Sequence, residues 1–168
     1  MKEFSISLFL ERDIEKSIVK FSNGFKFNRA VGTLDDKSKP HCTIVKWKAN
    51  EIANEQLKKL NKLMHTVKII LSGITALPSR YNEKDKGIWV EISILKTEEI
   101  KNMAEKIVDI VGKENALNDI GQLFRPHITI AKSYDKTILI KGITPKVLRK
   151  TILATPKLHV MKNVEFYK

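Results

Sequence analysis

The chain has 168 residues, 42% apolar and 30% charged, enough for a packed core beneath a soluble surface. Its formal net charge is +12 and its longest apolar runs are far shorter than a bilayer span, so no membrane is expected and a polyanionic partner is favoured. A lone cysteine, Cys42, excludes an internal disulfide, and Met1-Lys2-Glu3-Phe4 lacks the layout of a signal peptide, so a cytoplasmic protein is expected.

In chain order, Phe4 to Leu10 alternates apolar and polar residues and predicts a strand, with Ser5, Ser7 and Phe9 on the non-core face. Asp13 is the expected cap of a helix that buries Ile14, Ile18 and Phe21 and ends at Asn23-Gly24. Residues 35–40 read as a loop, and His41 to Lys48 as a strand. Asn50 is the expected cap of a second helix carrying Ile52, Leu57, Leu60 and Met64 inward. Thr66 to Leu71 predicts a strand interrupted by Ser72-Gly73, and residues 76–86 a loop. Ile88 to Ile94 alternates again, with Trp89, Glu91 and Ser93 off the core. Thr97 caps a third helix whose stripe runs from Ile100 to Val111 and which Gly112 closes. A strand from His127 to Lys132 follows, then a short strand at Thr137 to Lys141, a helical turn at Pro145 to Thr151 and a last strand at Leu158 to Tyr167.

Two segments repeat one pattern. Pro40-His41-Cys42-Thr43-Ile44 and Pro126-His127-Ile128-Thr129-Ile130 place two of the four histidines 86 residues apart, one in each half. In a strand, alternate residues share a face, so each histidine points the same way as its threonine. Cys42 points into the opposite layer and reads as a buried small apolar residue rather than a nucleophile. Two imidazoles and two hydroxyls converging on one groove suit phosphodiester cleavage. A neutral imidazole takes a proton from water and a protonated one gives a proton to the leaving oxygen. The hydroxyls donate to the non-bridging oxygens. The chain has no His-x-x-x-His, no cysteine pair, no Gly-x-Ser-x-Gly and no glycine-rich phosphate loop, which argues against zinc, serine-triad and P-loop chemistry. His65 reads as a helix-end residue. His159 reads first as an ordinary strand residue and second as a groove lining.

The paired motifs, and above all Phe124-Arg125-Pro126-His127-Ile128-Thr129-Ile130-Ala131-Lys132, resemble the signature of the 2H phosphoesterase superfamily, within it the 2′-5′ RNA ligase and RNA 2′,3′-cyclic phosphodiesterase group. The resemblance implies an α/β (α+β) fold: one bilobal domain over residues 1–168, two antiparallel sheets around a central cleft flanked by helices, and one His-x-Thr motif per lobe. It implies neither metal nor nucleotide cofactor, and a monomer is expected. His41 and His127 would be the acid/base pair, Thr43 and Thr129 the phosphate binders. Lys132 would be a further phosphate contact, although strict alternation aims it away from the groove, so that role requires a bend at the strand end. Arg125, beside the second motif, is a candidate to steer phosphate. Tyr81, Trp89, Phe9 and Trp47 are candidates to contact a base, Trp47 because it is in phase with His41 and Thr43.

The expected substrate is RNA or a small nucleotide with a 2′,3′-cyclic phosphate or 2′-5′ linkage, with ligation as the reverse reaction. Hydrolysis of 2′-5′ oligoadenylate or a cyclic oligonucleotide signal is the alternative within the same chemistry. A non-catalytic RNA-binding module is the alternative outside it, favoured by the nine basic and two acidic residues from Lys132 to Lys168.

Overall fold

The structure, a computed structural model, describes residues 1–24, 30–35, 39–78, 87–134, 148 and 150–161. Among them are seven strands and three α-helices: β1 (Lys2–Leu10), α1 (Arg12–Asn23), β2 (Ala30–Thr33), β3 (His41–Ala49), α2 (Asn54–Asn61), β4 (Val67–Pro78), β5 (Ile88–Ile94), α3 (Glu98–Val111), β6 (His127–Ser133) and β7 (Thr151–Met161). No helix among the described residues is long and apolar enough to cross a membrane.

The alternation read in β1 holds: Phe4, Ile6, Leu8 and Leu10 are buried in the apolar core, while Ser5, Ser7 and Phe9 lie on the other face. α3 forms where its cap and stripe predict. The Thr97 hydroxyl accepts from the Ile100 amide, Ile100, Met103, Ala104, Ile107 and Val111 are buried, and Gly112 ends the helix at a φ of 90° that disfavours a side chain. α3 packs on β3, α2 on α3, and α1 on β6.

The strands form two antiparallel triplets, β3-β1-β7 and β6-β5-β4. They are not the two separate sheets expected. Val67 to Ile70 of β4 pair with Thr151 to Ala154 of β7, and Cys42 of β3 pairs with Ile128 of β6. These two seams join both triplets into one seven-stranded sheet in the order β2-β6-β3-β1-β7-β4-β5, and the β5–β6 pairing closes that order on itself. The motif strands therefore meet directly.

Several local readings shift. α1 starts with Glu11 as its cap, leaving Asp13 in the first turn, where its charge still suits the dipole. α2 starts after Ala53 rather than Asn50, and the Gln56 side chain reaches back to the Ala53 amide (3.2 Å). β4 continues through Ser72-Gly73 with a register shift and absorbs residues 76–78, assigned to a loop in sequence. The last strand begins at Thr151, not Leu158. Pro156 falls where β7 has passed the end of its pairing with β4, so its missing N–H does not break the β7–β1 register. The strand expected at Thr137 to Lys141 and most of the turn expected from Pro145 lie outside the described residues.

Both motif strands carry a bulge at the same place. In β3, Ile6 pairs with Val45 and Ser7 with Thr43, so Ile44 is the extra residue. In β6, Val90 pairs with Ala131 and Glu91 with Thr129, so Ile130 is extra. Ile44 and Val45 are both buried, as are Ile130 and Ala131, after which the alternation resumes in the opposite phase. A bulge leaves a backbone carbonyl without its ladder partner, and each is capped by a side chain. Asn118 Nδ2 donates to Ile44 O (3.2 Å) while its Oδ1 accepts from the Lys46 amide (2.7 Å). The fully buried Ser22 hydroxyl donates to Ile130 O (2.6 Å) and accepts from the Leu34 amide (2.9 Å).

Candidate active site

The two histidines are fixed in the same way. His41 Nδ1 lies 2.9 Å from Lys39 O, and His127 Nδ1 lies 2.8 Å from Arg125 O. Each bond spans the proline of the motif, which has no N–H and holds the preceding residue extended, its carbonyl toward the ring. A carbonyl only accepts, so Nδ1 carries a proton in both rings and proton transfer falls to Nε2. Burial holds His41 below the ordinary histidine value of 6.5, the nearby His127 adds to the effect, and the Lys39 bond opposes it.

Thr43 and Thr129 share their histidines' faces and line a cavity of about 460 Å³ together with His127, Glu91, Arg125 and Trp89. Behind Thr43 lies a chain of hydroxyls: Ser7 Oγ is 3.5 Å from Thr43 Oγ1 and 3.0 Å from Ser5 Oγ. His159 joins it, with Nε2 at 3.1 Å from Ser7 Oγ and its ring edge-on to His41 at 6.2 Å. His159 thus sits beside the first motif, against Ser7 and His41. β7 pairs with β1 so that His159 lies opposite Ser5, a long-range register that local sequence does not carry. Burial and the neighbouring His41 both push His159 below the ordinary histidine value.

The bulges set the faces of the residues that follow them. Lys132 is turned toward the cleft side after Ile130, which supplies the bend its role requires; its Nζ lies 4.9 Å from the Trp89 ring centre and 5.3 Å from that of Tyr134. The bulge at Ile44 does the same for Lys46, which lines the cavity and pairs with Glu3 at 2.7 Å. Trp47 is thereby turned the other way: it is 2% exposed and stacked on Phe4, so its expected base contact is corrected to a core position. Lys46 was missed although the signal was present, since both segments extend to Pro-His-x-Thr-Ile-x-Lys.

Trp89 lines the cavity. Phe9 stacks on His41 at 5.4 Å, meets His159 edge-on and carries Lys157 Nζ 5.5 Å from its ring centre, so it packs the histidines in place. Tyr81 lies outside the described residues. Arg125 lines the cavity, but its guanidinium donates to Glu91 Oε2 at 2.5 Å. Glu91, placed by sequence only on a non-core face, is 5% exposed, and its other oxygen lies 3.3 Å from His127 Nε2. Cys42 is fully buried and its thiol is pushed up to about 12, chiefly by that burial, which removes it as a nucleophile. Among the described residues no group of three or more His, Cys, Asp or Glu is placed to hold a metal ion.

No protein-family model matches the sequence, and no curated protein matches it. Solved structures do. A phosphoesterase crystal structure is 14% identical, with 98% of this chain and 91% of that one aligned at a TM-score of 0.63. E. coli LigT complexed with 3′-AMP is 14% identical over 95% of this chain and 87% of its own, at 0.63. TT0787 of Thermus thermophilus is 15% identical over 95% of both chains, at 0.59. The chain thus has the fold of LigT and the phosphoesterase, across nearly the full length of each.

Proposed function

We propose that this chain is a metal-independent phosphodiesterase acting on RNA ends or small nucleotides, at a 2′,3′-cyclic phosphate or a 2′-5′ linkage, through His41 and His127. The observation that carries the proposal is the matched pair of imidazoles on adjoining strands. Each has Nδ1 fixed to a backbone carbonyl, which assigns proton transfer to Nε2, and each has a threonine on its own face. The phosphoesterase fold supports it, as does the 3′-AMP complex of LigT, a nucleotide with phosphate on the ribose 3′ oxygen.

In hydrolysis of a cyclic phosphate, one imidazole takes a proton from water as the water oxygen bonds to phosphorus. The ribose oxygen leaves phosphorus and receives a proton from the other imidazole. Thr43 and Thr129 donate hydrogen bonds to the non-bridging oxygens, and Lys132 adds positive charge. Trp89 offers a face for a base.

The test offers nucleoside 2′,3′-cyclic phosphates, 2′-5′-linked oligonucleotides and RNA with a cyclic end to the wild-type protein, His41→Ala and His127→Ala, with and without EDTA. Turnover by the wild type should survive chelation and fall by roughly 10²- to 10⁴-fold in each variant. Full activity in both variants, or its loss on chelation, would overturn the proposal.

A further inference from the structure

The two halves of the site differ in the residue that faces each motif threonine. Ser7 of β1 lies opposite Thr43, and Glu91 of β5 lies opposite Thr129. The first half thus puts a hydroxyl where the second puts a carboxylate. Resting on the two-histidine phosphodiesterase reading, we propose that Glu91 is a positioning residue that makes His127 the general acid and leaves His41 as the general base.

The geometry carries this. His127 Nδ1–H is committed to Arg125 O, and Glu91 Oε1 lies at ion-pair distance from Nε2, 3.3 Å, so the carboxylate charge favours the form in which Nε2 also carries a proton. A buried carboxylate is tolerated when paired, and Arg125 supplies the pairing from the far oxygen without removing the proton site. Arg125 therefore serves His127 twice, through its carbonyl and through its hold on Glu91. The groups facing His127 are Glu91 from β5, Arg125 from the loop before β6 and His41 from β3; Lys46 and Asp119 line the same cavity. His41 is set among Phe9, His159 and the Lys39 carbonyl, and burial favours its neutral form. In the reaction, water loses its proton to His41 Nε2 as the P–O bond forms. The ribose oxygen breaks from phosphorus and takes the Nε2 proton of His127. Both imidazoles exchange their protons with solvent before the next cycle.

The test has an arm that needs no turnover. ¹⁵N spectra of the histidine rings at pH 6.5, assigned with His41→Gln and His127→Gln, should show a larger doubly protonated share for His127 than for His41. Glu91→Gln should remove that difference. Equal shares in the wild-type protein, or a larger share on His41, would overturn the assignment whether or not the variant folds.

The second arm compares a nucleoside 2′,3′-cyclic phosphate, whose leaving group is an alkoxide, with the 4-nitrophenyl ester of thymidine 3′-phosphate, whose leaving group needs no acid. On the alkoxide substrate, Glu91→Gln and His127→Ala should each lower kcat by about 10²-fold or more. On the aryl ester their losses should shrink by at least tenfold, while His41→Ala loses as much on both. A loss equal on both substrates for Glu91→Gln would make its role structural and overturn the proposal. A wild-type protein that cleaves no diester but keeps the protonation difference would overturn the phosphodiesterase reading and leave the Glu91–His127 pairing standing.

Discussion

His41 and His159 face each other across a half-buried patch shared with Phe9, and both are held below the ordinary histidine value, first by loss of solvent. A histidine that is harder to protonate in the folded state than in the unfolded chain makes the unfolded state bind more protons as the solution is acidified. The stability contribution is therefore intact above about pH 6.5 and lost as pH falls through the folded values. Melting temperature should decline between pH 7 and pH 5, before Glu3, held below 4.5 chiefly by its Lys46 bond, begins to contribute its own loss. His159→Gln should flatten part of the decline; a wild-type Tm that is level or rises across this window would contradict the reading. The shared faces of His41 with Thr43 and of His127 with Thr129 were legible because two-residue alternation holds within each motif. The places of His159 beside His41 and of Glu91 beside His127 were not, because those partners lie 118 and 36 residues away in sequence.

At the scale of elements, the side-chain caps on the two bulges make a sharp prediction. Ser22→Ala leaves Ile130 O and the Leu34 amide without their shared buried partner, a loss of about 1–3 kcal/mol. For a chain of this size that is roughly 2–4 °C in Tm per kcal/mol. A scan in which Ser22→Ala melts with the wild type would show that the bulge does not depend on it. Asn118→Leu should act similarly on β3 and release Lys46 from its place at the cavity. Helix α3 and strands β1 and β5 were readable because cap, stripe and alternation agree. The start of α2, the run of β4 through Ser72-Gly73 and the early start of β7 were not, because pairing with distant strands overrides weak local signals there.

For the molecule as a whole, the α/β class and the pairing of motif strands across a groove were legible. The joining of both triplets into one sheet was not, since it rests on the β4–β7 seam and a single Cys42–Ile128 pair. The net charge of +12 acts at this scale too. If RNA ends are the substrate, raising KCl from about 50 to about 500 mM should depress kcat/KM for an oligonucleotide more steeply than for a mononucleoside cyclic phosphate, because more counterions are released on binding the longer chain. Parallel slopes in a log–log plot would mean that the basic surface beyond the cleft contributes nothing to capture.

From histidine to lysine, each motif counts five steps: 41 to 46 and 127 to 132. Five is odd, and in an uninterrupted strand an odd count puts the two side chains on opposite faces. The bulge takes one isoleucine out of that count and restores even parity. Straightening β3 with Ile44 kept in the ladder would exchange Lys46 and Trp47, sending an ammonium into the core and an indole into the cleft, the same frame error that reading β3 by simple alternation produces. Deleting Ile44 would instead leave an unbulged strand with Lys46 still toward the cleft and Trp47 still in the core.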